Sequence, residues 1–456
     1  MWNKVIVCWI ILLIAALALT ACAGEAEIVE VTRVVSEKEI IVETVVETVV
    51  EVVVAPTMAA MGTATPFVPA FVVEGERRDA GASDTTTLIE TAETNRVEAQ
   101  LVEPLTAGEI DDNELFGKYL DYVGRYAGPP AYALDVSERH IISVRDTQGL
   151  PVLEAHVTAF ANGQRVFEGR TTATGQVLIH PRALGLSSGA SLAVRVEKDR
   201  AVNEVSFVSG RSDHHVVKLD HAGQAGEPVA LDVLFLIDAT GSMEDEINQL
   251  KANVLQISAQ MDALPARPNV RFAMVTYRDR GDAYVTRVHE FTPDVRLFQA
   301  ELEKVRARGG GDYPESLNEA LHRAIWDVAW RESAAVRLVF LVADAPPHLD
   351  YEQDFAYDEE MIEAVRRGIK IIPIASSGLD DQGEYIYRQL AQFTLGRFVF
   401  LTYEEAGQPS SGPGTETQHH VAPQDYTVDA LDSLIVRLVT EELAALSDQG
   451  IRYWEQ

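Results

Sequence analysis

The stretch Leu231-Asp-Val-Leu-Phe-Leu-Ile-Asp238-Ala-Thr240-Gly-Ser242-Met243 constrains this chain more than any other. A near-continuous apolar run between polar residues reads as a strand buried on both faces, the habit of parallel sheets. It stops at Asp238, Thr240 and Ser242, oxygen-bearing side chains at alternate positions. Beyond Met243, the residues Ile247, Leu250, Val254, Leu255 and Ile257 follow a helical spacing. The carboxylate and the two hydroxyls therefore occupy a strand-to-helix loop at the carboxyl edge of an open α/β sheet, where such folds bind ligands. Hard oxygens gathered there suit Mg²⁺ or a similar cation. On this loop alone a second reading stands equally, because Asp, Thr, Gly and Ser also cap helices.

Two further segments favour the cation. Gly309-Gly-Gly-Asp312-Tyr-Pro314-Glu315 precedes a helical pattern through Leu317, Leu321, Ala324, Ile325 and Val328. Val336-Arg-Leu-Val-Phe-Leu-Val-Ala-Asp344 is another buried strand ending in an aspartate. Three loops, each at the right end of its element, then offer an acidic ligand.

This combination resembles a von Willebrand factor type A (vWA) domain, over residues 228–448. Such domains carry a metal-ion-dependent adhesion site of the form Asp-x-Ser/Thr-x-Ser, then a Thr or Asp, then a distant Asp. Asp238, Thr240 and Ser242 match the first part, and Asp344 the last. The middle position, Thr in integrin-like members, falls here on Asp312, as in the Gly-Gly-Gly-Asp-x-Pro-Glu form of bacterial members. The resemblance implies a divalent cation, Mg²⁺ first and Ca²⁺ or Mn²⁺ as alternatives. It also implies a coordination position left open for a carboxylate of a partner protein.

Upstream, residues 1–22 read as a targeting segment: Lys4, an apolar core from Val5 to Leu19, and the processing site Leu19-Thr-Ala-Cys22. The last resembles a bacterial lipobox, which implies lipidation at Cys22 and attachment to the outer face of the cell membrane. An ordinary signal peptide or a short anchor is the plainer alternative. The second cysteine, Cys8, lies within the segment to be removed. Residues 23–55 are a Val/Glu-rich stalk. Pairs such as Val45 and Val46, then Val49 and Val50, repeat with a helical period, which β-branching opposes. Residues 56–100 have the Ala, Thr, Pro and Gly content of a flexible linker.

Residues 101–137 hold a short helix, with Leu115, Phe116, Tyr119, Leu120 and Val123 on one face behind the acidic cap at Asp111 and Asp112. Residues 138–222 read as short strands between turns. Asp146-Thr-Gln-Gly149-Leu-Pro151 followed by Thr171-Thr-Ala-Thr-Gly175 resembles a carboxypeptidase-regulatory-like β-sandwich. The expected fold is multidomain: a doubly wound, Rossmann-like α/β vWA domain preceded by a small all-β sandwich and a low-complexity stalk.

A net charge of -32 opposes nucleic acid as a partner, since phosphate binding needs a basic footprint. No Gly-x-Gly-x-x-Gly after a strand and no His-Glu-x-x-His is present, and Ser242 has no evident His partner; the expectation is a binding protein and not an enzyme. The competing function is a solute-binding or scaffold lipoprotein whose aspartates are structural. His214 and His215 read as exposed strand-end residues. His419 and His420 fall on the Gly/Pro/Ser/Thr-rich stretch 404–424, read as a solvated loop. Arg280-Gly-Asp282 is treated as a chance triplet in a turn.

Overall fold

The computed structural model describes residues 105–221 and 229–446. Cys22, the targeting segment, the stalk and the 56–100 linker lie outside the described residues. In chain order the first elements are strand β1 (Thr106–Ile110), helix α1 (Phe116–Arg125), and strands β2 (His140–Arg145), β3 (His156–Ala161), β4 (Gln164–Arg170), β5 (Gln176–Ile179), β6 (Ser191–Lys198), β7 (Ala201–Val208) and β8 (Asp213–Lys218). Then follow β9 (Ala230–Asp238), α2 (Glu244–Asp262), β10 (Asn269–Tyr277), β11 (Thr286–Thr292), α3 (Val295–Leu302) and α4 (Leu317–Trp326). The chain continues through β12 (Ala335–Ala343), α5 (Tyr357–Arg367), β13 (Ile369–Ala375), α6 (Asp381–Phe393), β14 (Phe398–Thr402), β15 (Val428–Ala430) and α7 (Leu431–Ala445). Among the described residues, no helix is long and apolar enough to cross a membrane.

The main sheet has the order β11-β10-β9-β12-β13-β14-β1-β15. Its five central strands, β10, β9, β12, β13 and β14, are parallel, and antiparallel strands flank them. The apolar run of β9 is continuous because both its faces are covered. Leu234 and Leu236 enter one core with Leu317, Met361 and Leu390 of α4, α5 and α6. Val233, Phe235 and Ile237 enter the other with Val254, Phe298 and Leu434 of α2, α3 and α7. The one charge inside that run, Asp232, is fully buried and gripped by Arg271 at 2.6 Å and by Arg331. This is a doubly wound, Rossmann-like layer arrangement.

Two smaller sheets, β5-β2-β8 and β4-β3-β6-β7, stand between β1 and β9 in the chain. Their inward residues Ile142, Val144, Val157, Val177, Val194 and Val196 are fully or almost fully buried. That core is continuous with the α4–α6 side of the main sheet. The seam between them is also polar. Glu154, 2% exposed, pairs with Arg337 and accepts from the Ala334 N–H. His180 stacks on Phe393 with ring centroids 5.1 Å apart.

Several expectations need correction. The segment 101–137 is not only helical, because its first strand, β1, pairs with β14 and β15 in the main sheet. Thr-Ala-Gly-Glu-Ile has no apolar run to announce a strand. Its Gly108 is there for space: a Cβ would sit 2.7 Å from the Phe400 ring and 2.8 Å from that of Tyr426. The helix α1 packs on the α/β unit, with Tyr119 buried beside the ion pair of Asp112 with Arg388 at 2.7 Å. The last helix, α7, starts at Leu431, directly after the short strand β15. Finally, the stretch 404–424 is not wholly solvated. His419 is buried, and the Glu384 carboxylate faces both His419 and His420, at 3.3 and 3.0 Å.

Candidate metal centre

Parallel register brings the ends of β9, β10 and β12 to a common edge, since Asp238 lies opposite Tyr277 and Ile237 opposite Val342. Asp238 closes β9 and is fully buried. Its Oδ1 accepts from the Thr240 N–H at 2.8 Å and from the Thr240 hydroxyl at 2.7 Å. The Thr240 and Ser242 hydroxyl oxygens are 3.5 Å apart. Asp344 follows β12 directly and is largely buried. The structure thus brings Asp238, Thr240, Ser242 and Asp344 to one edge.

The glycine loop is folded onto them. Gly241 donates to the Gly309 carbonyl at 3.2 Å, and Arg308 donates to that of Ala239 at 3.0 Å. Gly310 has φ +73°, and a Cβ there would meet Glu315 Oε1 at 2.7 Å and the Thr240 Cβ at 2.8 Å. Only glycine permits that approach without strain. Asp282, the last residue of the Arg-Gly-Asp triplet, accepts from the Gly310 N–H at 3.0 Å. That carboxylate is a loop clamp.

The acid this fold turns inward is Glu315, only 4% exposed. It lies within the glycine motif, where sequence reasoning assigns it no role. Its signal was the acidic residue three places after Asp312. Asp312 itself is exposed and stands in a different group, with a ligand atom within 4.8 Å of those of Asp279 and His348. A second acid missed from sequence is Glu246, buried in the first turn of α2.

These acids repel one another in a poorly solvated place. Burial first and the Asp344 charge second push the Asp238 carboxyl up to about 7. Burial, then the charges of Asp238, Asp279 and Asp344, push Glu315 up to about 9. Burial raises Asp344, partly offset by the Ser242 hydroxyl, and burial pushes Glu246 up to about 7. Asp238 Oδ2 and Glu315 Oε2 are both buried without a hydrogen-bond partner. Buried polar atoms are rarely left so, because each costs about 1–3 kcal/mol. The donor set, carboxylates with two hydroxyls, fits a hard divalent cation.

The family model of the von Willebrand factor A domain matches residues 232–403. Human hemicentin-1 is 25% identical over 183 residues, which cover 39% of this chain and 3% of that protein. The alpha-protein kinase vwkA of Dictyostelium discoideum is 29% identical over 120 residues, covering 26% of this chain and 19% of the kinase. The rat von Willebrand factor A domain-containing protein 7 is 32% identical over 118 residues, 26% of this chain and 12% of that protein. The chain therefore spans less than a fifth of each of these relatives, and the likeness is to one domain of each. A von Willebrand factor A domain is present in this chain.

Proposed function

We propose that this chain is a lipid-anchored surface protein whose vWA domain captures a protein partner through a divalent cation. The observation that carries the reading is the pair of buried, unpartnered carboxylate oxygens, Asp238 Oδ2 and Glu315 Oε2, beside Asp344 at the carboxyl edge of the sheet. Asp238, Thr240, Ser242 and Asp344 would hold the ion, Mg²⁺ by the hardness of the ligands, with an acid of the glycine loop. The family pattern names Asp312 for that last role, and burial favours Glu315. A bound cation supplies positive charge and a position that a partner's carboxylate oxygen can take. The protein's own contribution is to hold the acids in place before the ion arrives and to keep the hydroxyls aimed at the same spot. The reading is of binding without turnover. The two small sheets, akin in their turns to carboxypeptidase-regulatory-like modules, serve as a support. Cys22 would carry the lipid, and two acyl chains suffice for stable attachment.

The test compares capture of native cell-surface proteins by the full chain in Mg²⁺ and in chelator, alongside Asp238→Ala. The reading expects a partner held only in Mg²⁺ and only by the native site. Equal capture in all arms would instead support a scaffold whose aspartates are structural. For the anchor, Cys22→Ala should release the protein or leave it unprocessed; unchanged processing and retention would refute lipidation.

A further inference from the structure

The same sheet edge holds a second constellation of different chemistry. Asp279 lies two residues past β10, Asp312 on the glycine loop, and His348 on the loop after β12. The last two loops are stitched together: the His348 N–H donates to the Glu315 carbonyl at 3.0 Å, and the Glu315 N–H to that of Pro346 at 3.1 Å. One ligand atom from each of Asp279, Asp312 and His348 lies within 4.8 Å of the others. Acidic residues that meet on a surface are common and carry nothing alone. The imidazole is what singles out this group.

His348 is only 4% exposed. Its Nδ1 is 2.8 Å from Asp350 Oδ1, and an ionised carboxylate can only accept, so the proton sits on Nδ1. The other nitrogen, Nε2, is buried, has no hydrogen-bond partner, and lies 3.6 Å from Asp279 Oδ1. Nε2 therefore faces the Asp279 carboxylate across a gap with no hydrogen bond of its own, a place that a cation between them would fill.

The surroundings hold these groups as ligands are usually held. The Tyr351 hydroxyl donates to both oxygens of Asp279, at 2.9 and 2.8 Å, and the Ser316 hydroxyl to one at 2.9 Å. The His348 ring lies flat on that of Tyr351, centroids 3.8 Å apart and 11° from parallel. Carboxylate to imidazole to metal, with the ring oriented by its other nitrogen, is the ordinary outer-shell pattern of histidine metal sites.

We propose that Asp279, Asp312 and His348 form a second divalent-cation site, beside the first and selective for a different metal. A ligand set of one imidazole nitrogen and carboxylate oxygens suits Zn²⁺, Mn²⁺ or Co²⁺, whereas the hydroxyls and carboxylates around Asp238 suit Mg²⁺ or Ca²⁺. Asp312, which the family pattern gives to the first site, belongs here to the second.

The experiment titrates Co²⁺ into the full chain carrying Asp238→Asn, following the visible absorption of the bound ion and competing it with Zn²⁺. This background removes a carboxylate of the first site, so the two readings fail separately. One equivalent should still bind. His348→Gln and Asp279→Asn should each abolish the band, and Asp350→Asn, which only orients the ring, should weaken binding by about 10–100-fold. Asp312→Ala, on an exposed residue and therefore safe for the fold, should lose Co²⁺ while the otherwise native protein keeps its thermal response to Mg²⁺. Absence of Co²⁺ binding in Asp238→Asn, or binding indifferent to His348→Gln, overturns the proposal. So does an Asp312→Ala variant that loses the Mg²⁺ response and retains Co²⁺.

Discussion

Asp238→Asn should make the cation-free protein more stable, although it alters the most buried acid of the candidate site. Asparagine keeps an oxygen where Oδ1 accepts from the Thr240 N–H and hydroxyl, and it removes the charge. In the folded chain that carboxyl titrates near 7, against 3.8 when unperturbed. Each unit is worth about 1.4 kcal/mol, so keeping it ionised above pH 7 costs on the order of 4 kcal/mol. The new amide N–H₂ replaces an oxygen that has no partner, which returns about 1–3 kcal/mol of that gain. The net expectation at pH 8 is about 1–3 kcal/mol of stabilisation. At about 2–4 °C per kcal/mol for a domain of this size, the melting midpoint should rise by several degrees. The sign of the pH dependence is the sharper readout. A carboxyl whose folded pKa is raised destabilises the fold when ionised, so the native protein should gain stability as pH falls from about 7 towards 4, and the advantage of the variant should vanish over that window. Melting curves at pH 5 and pH 8 in chelator, repeated in Mg²⁺, decide the matter. A variant less stable than native by about 1 kcal/mol at both pH values, as loss of a plain turn-capping carboxylate would give, refutes the reasoning. An unchanged response to Mg²⁺ refutes it equally.

Three other outcomes follow from the packing. Gly108→Ala should cost about 1–3 kcal/mol by driving a methyl into the Phe400 ring, read as a lower denaturation midpoint with an unchanged slope. Glu154→Gln should cost about 3–5 kcal/mol, because it strands the buried Arg337 charge at the seam; Glu154→Gln combined with Arg337→Met should recover much of that loss in a double-mutant cycle. His180, pushed by burial down to about 3 from 6.5, should lose the fold about 1.4 kcal/mol per pH unit as pH falls through that interval. Acid titration of His180→Phe in the Asp238→Asn background should show a flatter curve, and an unchanged one would show that His180 titrates normally.

The parts of this molecule that could be read from sequence are those set by chain-local chemistry. The runs ending in Asp238 and Asp344 are strands because both sheet faces are covered, and a parallel sheet necessarily aligns such ends at one edge. What stayed hidden depends on contacts distant in the chain. Glu315 turns inward only because Gly310 lets the loop close on Thr240. His348 looks like an isolated histidine until Asp279, 69 positions earlier, is brought to its Nε2. The strand β1 has no periodicity of its own, and what makes it a strand is the neighbouring β14 and β15. Side-chain burial likewise sets His419 apart from the otherwise exposed residues around it.

The placement of β1 has a mechanical consequence. Thr106 lies opposite Thr402, so the chain enters the sheet at the same edge that carries Asp238, four strands away across β12, β13 and β14. If the chain is tethered upstream of Leu105 and holds a partner at that edge, as proposed above, the tension between them runs sideways across the strands. Under such a load the hydrogen bonds of β1 open one pair after another, starting at Thr106, instead of sharing the force as strands do when drawn lengthwise. Once β1 has peeled away, the pull passes to the covalent path through the two small sheets, which joins the sheet again at Ala230. Held between β14 and β15, β1 acts as a mechanical fuse: it releases length under strain while the strands that hold Asp238 and Asp344 stay together.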